Sequence, residues 1–93
     1  MALLSDDEIS ARLAAMPGWE HAGGTIRKEY ITGDFRRAVA FVVRIAFEAE
    51  AANHHPDLDV RYNRVTVALS THSEGGVTDK DVELASALEG LTG

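Results

Sequence analysis

Along the first third of the chain Ile9, Leu13 and Met16 recur at steps of four and three, the stripe of an amphipathic helix. Ser5-Asp6-Asp7-Glu8 stands before it as a capping box, with Leu4 and Ile9 at the flanking staple positions, and Pro17-Gly18 stops it. Trp19 to Ala22 and Thr25 to Ile31, either side of Gly23-Gly24, read as two short strands around a glycine turn. From Phe35 through Val39, Val42, Ala46 and Ala49 the apolar positions return to helical spacing as far as about Asn53, behind an N-cap at Asp34. That helix spans roughly 30 Å. It also carries Phe41, Ile45 and Phe47, more apolar surface than one buried stripe requires, so it is expected to pack on a sheet with one side and to offer the other, the Phe41, Ile45, Phe47 side, to a second subunit.

Pro56 disfavours helical geometry at His55 and ends the long helix near a histidine pair. Beyond it the period changes from helical to two. Leu58, Val60 and Tyr62 alternate with Asp57, Asp59 and Arg61, and Val65, Val67 and Leu69 repeat the pattern after Asn63-Arg64, which predicts a hairpin whose strands each have a dry and a wet face. Ser73 to Gly76 is a loop, and Thr78-Asp79-Lys80-Asp81 is a second capping box, stapled by Val77 and Val82 and followed by Leu84, Ala85, Leu88 and Leu91 on a third helix. The predicted order is α-β-β-α-β-β-α: an α+β fold in which a four-stranded antiparallel sheet carries three helices on one face. No boundary or repeat divides residues 1–93, which are expected to form one domain.

Composition narrows the chemistry. Nine basic against fifteen acidic side chains, net −6, oppose capture of a phosphate backbone, so direct nucleic-acid binding is not expected. The absence of cysteine removes thiolate nucleophiles, disulfides and cysteine zinc sites. The apolar run from Phe35 to Ala52 is broken by Arg36, Arg37, Arg44, Glu48 and Glu50 and cannot read as a membrane span. The first residues have neither a basic n-region nor a long apolar h-region, which argues for the cytoplasm.

Histidines are the remaining chemical feature. His54 and His55 leave the long helix at its C-terminal end, where carbonyl dipoles favour a protonated ring, with Glu50 one turn earlier on the face of His54. His72 follows the last strand on the loop that leads to Asp81 in the first turn of the third helix. Imidazole is the side chain best suited to exchange protons near neutrality. Adjacent residues point about 100° apart on a helix, so the pair is poorly arranged to grip one metal ion and better arranged to flank a flat molecule. No His-Glu-x-x-His, Gly-x-Ser-x-Gly or phosphate-cradling glycine loop occurs. Proton transfer on a small ligand leads, beside plainer readings in which His21 is an inert surface residue, Trp19 is core, Glu50 is a solvated helix residue and Asp81 is only the capping acid.

The spacing Glu50, three residues, His54-His55-Pro56, five residues, Tyr62, nine residues, His72, eight residues, Asp81 resembles the signature of the pterin-4a-carbinolamine dehydratases. Trp19, the run from Asp34 to Ala38, Leu69-Ser70-Thr71-His72 and Leu84-Ala85-Ser86 extend the resemblance over roughly residues 5 to 91. It implies the same α+β fold in dimers or tetramers, and a lyase reaction: loss of water from a 4a-hydroxytetrahydropterin to give the quinonoid dihydropterin, in tetrahydrobiopterin recycling after aromatic amino acid hydroxylation. It implies no cofactor and no metal, a pterin as substrate, and a functional link to an aromatic amino acid hydroxylase. By position, it makes His54 and His72 the general acid/base pair, with His55 holding the pterin and supporting proton transfer. It assigns Glu50 to orienting His54, Asp81 to the ring or to fixing a histidine, and Thr71 and Trp19 to the substrate pocket. Leu58 stands where relatives often carry tryptophan, and Asn53 and Lys80 where some carry aspartate and arginine, departures that bear on ligand contacts. The same fold also implies an alternative, a non-catalytic dimerisation or assembly cofactor.

Overall fold

In the computed structural model, which describes residues 2–91, the elements are α1 (Asp6–Leu13), β1 (Glu20–Ala22), β2 (Thr25–Ile31), α2 (Phe35–Ala52), β3 (Asp57–Arg61), β4 (Arg64–Leu69), a 3-10 turn (His72–Glu74) and α3 (Asp79–Glu89). The order is the predicted one. Both capping boxes form: the Ser5 hydroxyl accepts from Glu8 N–H while Glu8 accepts from Ser5 N–H, and Thr78 and Asp81 do the same for α3. Asp34 caps α2 by accepting from Arg37 N–H at 2.8 Å. The short 3-10 turn, closed by a bridge between Thr71 and Gly76, lies inside the stretch expected to be loop.

The sheet is antiparallel throughout, in the order β1-β2-β4-β3. Ile26 faces Leu69 and Tyr30 faces Val65 across the central pair. These side chains and Val67 point to one face and merge with Ile9, Leu13, Ala38, Phe41, Ile45, Ala49, Leu84 and Leu88 from the helices into one core. Arg27, Glu29 and Ile31 occupy the opposite, exposed face of β2, so all three helices lie on a single side.

Two expectations need correction. Phe41 and Ile45 are 7% and 0% exposed, so the Phe41, Ile45, Phe47 side is not an outer face: the first two belong to the core, and the surface of α2 is instead a stripe of Phe35, Val39, Val43 and Phe47. Every position of that stripe is four residues from the next, a row that lies along one side of the helix. The second concerns β3, which was expected to have a dry face. All five of its residues are exposed, because β3 is the edge strand with a neighbour on one side only, and Leu58 and Val60 keep more than a third of their surface open.

Candidate active site

The site begins where α2 stops. Asn53 adopts a left-handed conformation, with φ 49°, and its N–H bonds back to the carbonyls of Ala49 and Glu50, a C-cap for which asparagine is the usual substitute for glycine. The His54 N–H still reaches the Ala49 carbonyl at 3.0 Å, and Pro56 then commits the chain to β3. The reversal sends the two rings to different surroundings. His54 turns inward, its side chain 10% exposed, and its Nε2 lies 2.5 Å from Asp81 Oδ1. His55 turns outward, and its Nε2 lies 2.6 Å from Glu50 Oε2 in an exposed pair. Glu50, expected to orient His54, is therefore the partner of His55, and Asp81 is the carboxylate that holds His54. The left-handed turn at Asn53 is what breaks the helical geometry on which the Glu50–His54 pairing was reasoned.

Asp81 is wholly buried in the first turn of α3. A buried carboxylate has to be hydrogen-bonded, and here Oδ2 accepts from the Thr78 N–H at 2.9 Å and from the Thr71 hydroxyl at 2.8 Å. Thr71 Oγ1 is also 2.8 Å from Thr78 Oγ1, and both threonines are buried. The chain thus brings the end of β4 against the start of α3, with His72 the next residue after Thr71 and exposed. His54, Thr71 and Asp81 are joined directly, and His72 is joined to them through the backbone. A cleft of about 410 Å³ opens beside His54 between the end of α2 and α3, lined by Ala51, Ala52, Lys80 and Leu84 among others. Among the described residues no group of three or more metal-ligating side chains gathers.

Trp19 lies elsewhere. It is 5% exposed and meets Tyr30 edge-on, ring centroids 6.3 Å apart, beside the C-terminal end of α3. There Glu89 accepts a hydrogen bond from the Tyr30 hydroxyl and another from Lys28 Nζ, at 2.9 Å. Asp81 and Glu89 are eight residues apart on one helix, a separation of about 12 Å, so Trp19 is packed at the far end from the histidines. Thr78 is the contributor that sequence reading passed over as a simple cap, although its place in a capping box with Asp81 was the signal that located it.

The family model described as pterin 4 alpha carbinolamine dehydratase matches residues 2–91. The chain belongs to this family. It is 51% identical over 88 residues to a protein from Roseiflexus castenholzii named "Putative pterin-4-alpha-carbinolamine dehydratase", covering 95% of each chain. A protein of the same name from Mycolicibacterium vanbaalenii is 46% identical over 93 residues and is covered in full. Among solved structures, a transcriptional coactivator/pterin dehydratase from Brucella melitensis superposes with a TM-score of 0.93 at 35% identity, over 98% of this chain and 99% of that one. A pterin dehydratase-like protein identified as a RuBisCO assembly factor in the alpha-carboxysome superposes with a TM-score of 0.67 at 17% identity, over 81% of this chain and 87% of that one, and shares the fold.

Proposed function

We propose that the protein is a 4a-hydroxytetrahydropterin dehydratase, a lyase acting in pterin recycling, and that His54 and His72 supply its acid and base. The observation that carries this reading is the buried Asp81 carboxylate with His54 at 2.5 Å and Thr71, the neighbour of His72, at 2.8 Å. An inert helix end has no use for a histidine locked onto a fully enclosed acid. The reaction asks little of the protein. Departure of the 4a hydroxyl is assisted by the lone pair of the adjacent ring nitrogen, so one group that gives a proton to the leaving oxygen and one that takes a proton from the ring suffice. His55, steadied by Glu50, contacts the pterin at the rim and supports the transfer, and the cleft beside His54 receives the ring.

The assay that tests this is turnover of freshly generated 4a-hydroxytetrahydropterin by the pure protein. Acceleration over the spontaneous dehydration is expected; its absence would move the protein to the alternative, a non-catalytic assembly or dimerisation cofactor on the same fold. The exposed Phe35, Val39, Val43, Phe47 row supports a further part of the reading, a homodimer or homotetramer joined through the outer face of α2. Sedimentation of the protein as a monomer at micromolar concentration would remove it. The functional link to an aromatic amino acid hydroxylase and the cytoplasmic setting belong to the same proposal. Among the described residues no helix is long and apolar enough to cross a membrane.

A further inference from the structure

Asp81 has more donors than a capping acid needs. The helix start requires only the Thr78 N–H on Oδ2, at 2.9 Å; the Thr71 hydroxyl on the same oxygen and His54 Nε2 on the other are additional. The direction of each hydrogen follows from counting lone pairs. Thr78 Oγ1 accepts the Lys80 N–H at 3.3 Å and, in the capping box, the N–H of Asp81, so its own hydrogen is left for Thr71 Oγ1 at 2.8 Å. Thr71 then has its hydrogen free for Asp81. With two donors on Oδ2, an ionised Asp81 presents Oδ1 as an acceptor to His54, and a carboxylate can only accept.

We propose that Thr71 is a positioning residue which, acting through Asp81, fixes His54 as the tautomer protonated on Nε2 and so makes Nδ1 the atom at which the proton is exchanged. This rests on the dehydratase reading. Nδ1 has no hydrogen-bond partner among the described residues, and the ring borders the cleft lined by Lys80, Glu48 and Glu83. The neutral ring takes one proton from a ring nitrogen of the pterin at Nδ1 while His72 gives one to the departing oxygen, and exchange with water returns both histidines to their starting states. Only N–H bonds are made and broken at His54, and Asp81 Oδ1 goes on accepting from Nε2–H throughout. Removal of the Thr71 hydroxyl leaves a wholly buried carboxylate one donor short. Oδ2 then keeps only the Thr78 N–H, and the carboxylate is no longer held with Oδ1 turned to His54 Nε2. The ring is then free to populate the other tautomer, which points an N–H, not a lone pair, at the ligand.

Long-range proton–nitrogen NMR on protein labelled in its histidines reads the tautomer without any turnover. In the unaltered protein near pH 8 the neutral His54 ring is expected to carry its hydrogen on Nε2. In Thr71→Val the population shifts toward Nδ1–H and kcat falls by about tenfold to a hundredfold, as for a lost hydrogen bond to a charged group, with KM moved less. Thr71→Ser, which keeps the hydroxyl, restores both. A His54 protonated on Nδ1 in the unaltered protein overturns the proposal, and so does a Thr71→Val protein with tautomer and kcat unchanged. If Thr71→Val does not fold, Thr71→Ala takes its place, and the tautomer of the unaltered protein still decides. An Nε2–H ring that responds to Thr71 in a protein without turnover supports the positioning device and overturns the dehydratase reading, so the two failures are told apart.

Discussion

The two ends of α3 each hold a carboxylate in a polar cluster, and the clusters are built differently. At the N-terminal end Asp81 is enclosed completely and draws on the Thr71 hydroxyl, the Thr78 N–H and one histidine, the Thr78 hydroxyl bonding Thr71 in turn, with no lysine or arginine in contact among the described residues. At the C-terminal end Glu89 is partly exposed and draws on the Lys28 ammonium and the Tyr30 phenol, while Lys28 also donates to the Pro17 carbonyl at 2.9 Å and lies 4.7 Å from the centre of the Tyr30 ring. Helix polarity accounts for much of the contrast. Unpaired N–H groups favour a negative charge at the start of a helix and unpaired carbonyls oppose one at its end, so Asp81 is sustained by neutral donors where Glu89 depends on a cation. A site without its own fixed cation leaves a histidine free to change charge. The Glu89 cluster instead ties the turn after α1 to β2 and the last turn of α3, which is a structural duty.

The largest expected effect lies at the histidine end. Changing both His54 and His72 to Ala should lower turnover of the 4a-hydroxypterin by about a hundredfold or more, the usual share of general acid/base catalysis, while circular dichroism keeps the parent's form and the melting transition falls, since the buried Asp81 loses the donor on Oδ1. Retained turnover would break the contrast between a chemical end and a structural end.

Asp81→Ala should damage both properties. It leaves the Thr71 hydroxyl, the Thr78 N–H and His54 without their common acceptor, at a cost of about 2–4 kcal/mol in denaturant unfolding. Glu89→Gln should separate the two ends: stability falls by about 1–2 kcal/mol through the weakened Lys28 and Tyr30 contacts, and turnover is unchanged. A turnover loss in Glu89→Gln as large as in Asp81→Ala would show that both clusters serve the reaction.

The pH dependence of stability sharpens the same comparison. Burial, then the hydrogen bond to Glu89 and its charge, push the Tyr30 hydroxyl well above the ordinary phenol value of 10.0. A group whose folded value is raised stabilises fully below its unfolded value and loses that contribution as pH climbs, so stability should decline above about pH 10 and the decline should be shallower in Tyr30→Phe. Burial alone would raise the Glu89 carboxyl, but the hydrogen bonds from Tyr30 and Lys28, helped by the lysine charge, outweigh it and hold the group below the ordinary carboxylate value of 4.5. Its contribution is therefore present above that value and lost as pH falls through the lower, folded one. Denaturant midpoints across the two ranges, compared with Glu89→Gln at the acid end, check both signs. The smallest effect belongs to the exposed Glu50–His55 pair: Glu50→Gln should change stability by less than about 1 kcal/mol, whatever it does to ligand affinity.

Much of this architecture was legible before any coordinates. The two capping boxes, the proline after the histidine pair and the shift from a helical to a twofold period located every helix and strand, with α1 ending three residues before Met16, because each of those signals is local: a cap needs only its own first turn, and a strand's alternation needs only its own pleat. The spacing from Glu50 to Asp81 likewise drew attention to the residues that gather around His54. What was misjudged depends on contacts between distant segments. Which side of α2 faces the core could not follow from a helix apolar over more than one stripe, and the dry face expected of β3 failed once the strand became an edge.

The pairing of carboxylates with histidines was also a tertiary decision. One left-handed residue, Asn53, rotates His54 toward α3 and His55 toward Glu50, so that Glu50 meets His55 instead of the His54 that helical spacing suggested. Trp19 was assigned to the pocket by position and is placed at the opposite end of α3, in contact with Tyr30. The sequence by itself determined the elements, their order and the set of proton-active side chains, since these depend on short-range preference and composition. Only the packed structure decided which oxygen meets which nitrogen, because that is settled by the few ångströms across which β4, α3 and the end of α2 close on one another.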